Sequence, residues 1–151
     1  MLDAYVKQTG NTTILNRALP LASAEMEWWK VNRTIDVTSP FTNTSYRVAH
    51  FAVVNSAPRP EGYVEDIDVA LGAQPPFNLT QQADIYAELA SGAESGWDYT
   101  SRWTKEPLGN VTDNSVPLRT LNVRSIIPVD LTSLLAGDHA LVRHLIGLDE
   151  C

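Results

Sequence analysis

Gly92-Ala93-Glu94-Ser95-Gly96-Trp97-Asp98-Tyr99-Thr100-Ser101-Arg102-Trp103 sets two carboxylates, an arginine and two tryptophans among small residues. Upstream, Tyr86, Leu89, Ala90 and Ala93 recur at helical spacing, so a helix is predicted to run into this stretch and deliver a Gly-Trp-Asp turn. The residue types suit a sugar-cleaving site. A carboxyl held beside apolar rings stays protonated and can give its proton to a leaving oxygen. Tryptophan faces match the apolar faces of a sugar ring, while guanidinium and carboxylate groups serve its hydroxyls. Gly92, Ala93 and Gly96 allow close approach of backbone or ligand. By spacing alone, the same residues also describe a tryptophan-rich helix end packed in a core, which is the commoner occurrence.

The order of the residues is more specific than their types. Ala93 to Trp103 resembles the A-E-S-G-W-D-F-S-S-R-W segment of the α,α-trehalases, a glycoside hydrolase family. Upstream, Pro58-Arg59-Pro60-Glu61-Gly62-Tyr63-Val64-Glu65-Asp66 resembles P-R-P-E-S-Y-R-E-D of that family. Downstream, Arg124-Ser125-Ile126-Ile127-Pro128-Val129-Asp130-Leu131 resembles its T-S-I-V-P-V-D-L-N stretch. The three segments stand in the family's order, and the likeness runs from Met1 to about Leu135, leaving 136–151 as a divergent tail.

The resemblance implies a mainly α fold: part of an (α/α)6 toroid of paired helices, with a small β-hairpin inserted, residues 1–151 being a partial catalytic domain. It implies hydrolysis of trehalose with inversion. Asp98 is then the general acid, and Arg59, Pro60, Glu61, Gly96 and Arg102 bind the substrate. An inverting enzyme needs a second carboxylate about 6.5–9.5 Å from the acid to activate water on the opposite sugar face. In the family that base is a glutamate far downstream of the matched segments. Glu94 does not hold its place in the pattern, and is expected to order the turn or to pair with Arg102. The family's P-G-G-R-F-x-E and Q-W-D-x-P segments are absent from the sequence, so this chain alone is expected to be inactive. Gly62 and Val64 stand where the family has Ser and Arg, which weakens the surroundings expected for Arg59 and Glu61. Two other readings fit: a degenerate secreted sugar-binding protein without turnover, and a helical interaction domain on an inherited scaffold.

Length and charge bound the rest. The 151 residues allow one domain with a real core. A net charge of −7 argues against nucleic acid and anionic membranes as partners. No apolar run approaches a membrane span, and Met1-Leu2-Asp3-Ala4-Tyr5-Val6 is not a signal-peptide start. Cys151 is the single cysteine, so no internal disulfide is expected. Sequons at Asn11, Asn32, Asn43, Asn78 and Asn110 exceed chance and point to a secretory route, hence a secreted, cell-surface or vacuolar protein. His50, His139 and His144 have no metal-ligand spacing, and no phosphate loop or dinucleotide fingerprint occurs, so neither metal nor cofactor is expected. Gly92-Ala93-Glu94-Ser95-Gly96 is not the G-x-S-x-G of a serine hydrolase.

Along the chain, a short helix is predicted to end at Thr9-Gly10-Asn11. A second, begun by Thr12 or Thr13, buries Leu15, Leu19, Ala22, Met26 and Trp29, with Pro20 as a kink or a new start and Trp28-Trp29 as core. Ile35 and Val37, then Tyr46, Val48 and Phe51-Ala52-Val53-Val54, predict a hairpin with Asn43 at its tip. Pro58-Arg59-Pro60 forces an extended loop before a helix whose stripe is Tyr63, Ile67, Ala70 and Leu71, leaving Glu65, Asp66 and Asp68 on a solvated face. Thr80 is read as the N-cap of the helix that leads to the turn, residues 118–129 as extended, and Asp130 as the N-cap of a last helix through Leu134-Leu135.

Overall fold

The computed structural model describes residues 1–105 and 112–147, and the chain divides into two compact units. The Asn110 sequon and the closing Leu148-Asp149-Glu150-Cys151 lie outside the described residues. The described part is mainly helical, with one two-stranded antiparallel sheet. No described helix is long and apolar enough to cross a membrane.

The first unit comprises residues 1–50 and the chain from 127 onward. Helix α1 (Leu2–Thr9) stops at Gly10, whose φ of 66° lets its N–H turn back to the Val6 carbonyl. Helix α2 (Thr13–Asn32) is one continuous helix through Pro20. Its start is tied by the Asn11 side chain, which accepts from the Thr13 N–H at 3.0 Å, whereas Thr12 makes no side-chain cap. Met26 is buried, but Trp28 is 45% exposed, so the Trp28-Trp29 pair is not the core element its composition predicts. The two rings meet edge to face at 5.5 Å, and the Arg33 guanidinium lies 4.8 Å over Trp28.

Strands β1 (Thr34–Thr38) and β2 (Ser45–Ala49) pair with Thr34 opposite Ala49 and Thr38 opposite Ser45. Asn43 sits in the connecting turn with φ 52°, a conformation Asn tolerates. The return strand ends at Ala49, short of Phe51 to Val54 and of His50. Helix α6 (Val129–Leu145) packs on α2 and β2 and runs well past the predicted end at Leu135. Pro128, not Asp130, is its N-cap; Asp130 lies inside the first turn, where its carboxylate accepts from the Leu131 N–H at 3.1 Å. Asn11, Asn32, Asn43 and Asn78 are all exposed, and the Asn32 amide donates to the Trp28 carbonyl.

The second unit, residues 51–126, is built around helix α4 (Leu79–Glu94). Asn78, rather than Thr80, opens it through a capping box. The Asn78 Oδ1 accepts from the Gln81 N–H, and the Gln81 Oε1 accepts from the Asn78 N–H, both at 3.0 Å. Every residue from Ile85 to Gly92 is buried, because Ala87, Ala90, Ser91 and Gly92 let neighbours close over the faces an amphipathic helix leaves wet. The Ser91 hydroxyl donates to Ala87 O at 2.8 Å and accepts from the Val53 N–H at 2.9 Å. It thereby satisfies one main-chain N–H of a segment outside the strands.

Helix α3 (Tyr63–Leu71), entered through a 3-10 turn at Pro60–Gly62, packs on α4. Its buried face is Asp66, Val69 and Ala70, while Tyr63 and Leu71 are exposed. The predicted stripe is therefore rotated, and Asp66 is no solvated residue. Helix α5 is a single turn, Ser115–Leu118, against α3. Trp103 is fully buried in a 3-10 turn at Ser101–Trp103, edge to face with Phe51 at 6.3 Å. The predicted extended run from 118 is instead broken by a turn at 119–120 and a 3-10 turn at Val123–Ser125. Arg124 folds onto buried Glu88, with Nε donating to Oε1 at 2.8 Å and the main-chain N–H to Oε2 at 3.2 Å.

Candidate functional site

The candidate residues all lie in the second unit, where α4 ends. At Ser95 the hydroxyl donates to Gly92 O at 2.6 Å and accepts from the Trp97 N–H at 3.1 Å, closing the helix end on itself. Gly96 follows with φ 70°, and Asp98 has φ 48°. The left-handed region costs an ordinary residue roughly 1–2 kcal/mol and is eased for Asp and Asn. Strain of this kind at a titratable residue is a pointer to function. The doubled turn exposes the Asp98 side chain and brings Tyr99 back against α4, where its hydroxyl donates to Leu89 O at 3.2 Å. The segment it resembles has Phe at this place, which has no hydroxyl to make that bond.

Gly92 is what lets the turn lie so close. A Cβ there would stand 3.0 Å from Tyr99 Cε1 and 3.2 Å from the Asp98 carbonyl oxygen. Gly92→Ala is expected to destabilise the chain by roughly 1–3 kcal/mol through overpacking, outweighing the up to ~1 kcal/mol that alanine gains in a helix. Urea unfolding of the variant measures the balance.

Arg59 arrives from the other side, on the extended loop its flanking prolines impose (φ −68°, ψ 142°). Its side chain is 13% exposed and is clamped by Asp66: Nε donates to Oδ2 at 3.0 Å and Nη2 to Oδ1 at 2.7 Å. The guanidinium lies 5.4 Å from the Tyr99 ring centroid, and Nη1 is 3.9 Å from Glu61 Oε1. The pair raises the pKa of Arg59 further, chiefly through the hydrogen bonds to Asp66. A Cβ at Gly62 would stand 2.8 Å from Arg59 Nη2, so a side chain there would require the guanidinium to shift.

Tyr99 is the shared neighbour of these groups. Burial pushes its hydroxyl up to about 12; the Arg59 charge opposes that, and the carboxylates of Asp66, Asp98 and Glu61 reinforce it. The folded state thus disfavours tyrosinate relative to the unfolded chain, whose phenols ionise near pH 10. The linked stability is whole below about pH 10 and declines as pH rises from there to about 12. Urea midpoints across that range, compared with Tyr99→Phe, isolate the contribution.

Arg102 stands over two tryptophans, 4.9 Å from the Trp97 centroid and 5.1 Å from that of Trp103. Trp97 is 52% exposed and offers an open face, whereas Trp103 is core. Arg59, Glu61, Asp66 and Asp98 thus all act on Tyr99, Gly96 belongs to the turn that carries Asp98, and Arg102 is placed over Trp97 and Trp103. Among the described residues, no cluster of three or more His, Cys, Asp or Glu could hold a metal. Two residues of the neighbourhood, Asp66 and Tyr99, escaped the sequence reading. For Asp66 the signal was its place on one helical face with Gly62, Val69 and Ala70, at spacings of four, three and four.

A family model described as Trehalase matches residues 1–145. The chain is 36% identical over 138 residues to a trehalase of Dictyostelium discoideum, covering 89% of this chain and 22% of that protein. It is 33% identical over 147 residues to a Homo sapiens trehalase, 95% of this chain and 23% of that protein. With an Apis mellifera trehalase it shares 36% over 146 residues, 94% of this chain and 21% of that protein. The chain belongs to the trehalase family, and it spans about a fifth of the length of the relatives it matches.

Proposed function

We propose that this chain forms one wall of the active site of an inverting α,α-trehalase, with Asp98 as general acid. The observation that carries the reading is a carboxylate on a strained turn at φ 48°, sharing Tyr99 as neighbour with the Arg59–Glu61 loop. Asp98 protonates the oxygen bridging the two glucose units as positive charge develops on the anomeric carbon and ring oxygen. Arg59 and Glu61 hold hydroxyls of one ring, and Arg102 with the open face of Trp97 supports the other. In this reading the chain is part of an (α/α)6 toroid and lacks the carboxylate that activates water, so it does not turn over trehalose unaided. Exposure of four sequon asparagines supports a secreted, cell-surface or vacuolar protein bearing N-glycan.

The test incubates the purified chain with trehalose and follows glucose by NMR, alone and mixed with the remainder of a trehalase catalytic domain. No release from the chain alone is expected. Release on mixing, as one α- and one β-glucose per turnover, supports the reading. Two α-glucose molecules would exclude inversion, and release from the chain alone would mean that it carries its own base, with Glu94 or Glu61 first to be tested.

A further inference from the structure

Asp66 is 1% exposed and, among the described residues, accepts its hydrogen bonds from Arg59 alone. Besides the two guanidinium contacts, its Oδ2 accepts from the Arg59 main-chain N–H at 2.9 Å. One carboxylate therefore fixes both the loop that carries Arg59 and the plane of its side chain. Engagement through Nε and Nη2 stops rotation of the guanidinium, and the Tyr99 ring at 5.4 Å backs it. What remains is the Nη1 edge, whose N–H groups make no hydrogen bond to a described residue. Glu61 Oε1 at 3.9 Å is beyond hydrogen-bonding distance. A donor edge beside an exposed acceptor is a receptor for a hydroxyl group.

We infer that Asp66 is a positioning residue for substrate binding: it holds the Arg59 guanidinium so that the Nη1 edge, beside Glu61, is presented to a hydroxyl oxygen of trehalose. This rests on the substrate-site reading above. A carboxylate serving only to neutralise a buried arginine has no need of the Nε–Nη2 side or of the main-chain N–H. Both are used here, and together they leave one edge of the guanidinium over.

The test titrates the chain with trehalose by NMR, observing the arginine side-chain N–H signals, at temperatures where each variant is folded. In the unsubstituted chain, the Arg59 Nη groups are expected to give resolved signals that shift on adding trehalose. In Asp66→Asn they are expected to average, with a roughly tenfold loss of trehalose affinity, as one charge-assisted contact implies. In an Arg59→Lys background, Asp66→Asn is expected to cost nothing more. Unchanged affinity in Asp66→Asn, or an equal loss in both backgrounds, overturns the inference and leaves the site reading standing. No trehalose response in the unsubstituted chain, or full affinity in Arg59→Lys, overturns the site reading itself. Should Asp66→Asn not fold, Asp66→Glu replaces it: the charge is kept but set one methylene further out. The same loss is expected, and full affinity there overturns the inference.

Discussion

Asp98→Asn is expected to lower trehalose hydrolysis by about 10²–10⁴-fold, the range general acid catalysis supplies. The enzyme for this measurement is a chimera in which this chain replaces the matching segment of the Dictyostelium discoideum trehalase. Asparagine is the right probe because Asp98 sits at φ 48°, where Asn is also tolerated, so the turn keeps its shape while the proton is lost. Alanine would confuse loss of the acid with collapse of the turn. The specific control is α-glucosyl fluoride, whose leaving group needs little proton assistance. Its hydrolysis should fall far less than that of trehalose. An equal fall for both substrates would assign Asp98 a role in holding the sugar rather than in protonating it.

Asp66→Ala is expected to destabilise the chain by about 3–5 kcal/mol, the cost of removing one partner of a buried, hydrogen-bonded charge pair. The Arg59 side chain is 13% exposed, so water cannot replace both hydrogen bonds it loses. The Asp36–Arg47 pair on the hairpin has similar geometry, Nε to Oδ1 at 3.0 Å, but its side chains are 58% and 62% exposed. Asp36→Ala should therefore have little effect. The double substitution Arg59→Met with Asp66→Leu should recover much of the stability lost in Asp66→Ala, since an apolar pair of similar volume needs no solvation. Thermal and urea unfolding of these variants separate the buried pair from the exposed one. A loss in Asp66→Ala no larger than in Asp36→Ala would mean that water reaches Arg59 after all.

The helix leading into the turn, the hairpin tip at Asn43 and the proline-held loop at Arg59 were legible because each rests on local rules. Those rules are a helical period, a residue that tolerates the left-handed region, and prolines that forbid helix. The pairing of Arg59 with Asp66 was not. In a row of Glu65, Asp66 and Asp68 the local rule says solvent, and only the return of the Arg59 loop over α3 makes one of the three buried. Glu88 escaped for the same reason, its partner Arg124 lying 36 residues away. Trp28 failed in the opposite direction: an aromatic at the edge of an apolar stripe reads as core, and here it lies open under Arg33. Asp98 was singled out through the family resemblance, but its backbone strain was not legible, because nothing in Gly96-Trp97-Asp98 announces a second left-handed residue two places after the glycine.

The capping box at Asn78 has a consequence for anyone asking whether that sequon is occupied. The box uses the Oδ1 atom and the main-chain N–H of Asn78, whereas a glycan would be attached at Nδ2. One amide group can thus hold the start of α4 and carry sugar together. The usual knockout, Asn78→Gln, removes the acceptor site and the cap in one stroke, and loss of the cap alone costs about 1 kcal/mol. A drop in yield or secretion of that variant would then be credited to the missing glycan when it came from a frayed helix. Thr80→Ala abolishes the recognition triplet and leaves both hydrogen bonds of the box in place, so it alone reports on glycosylation at this site.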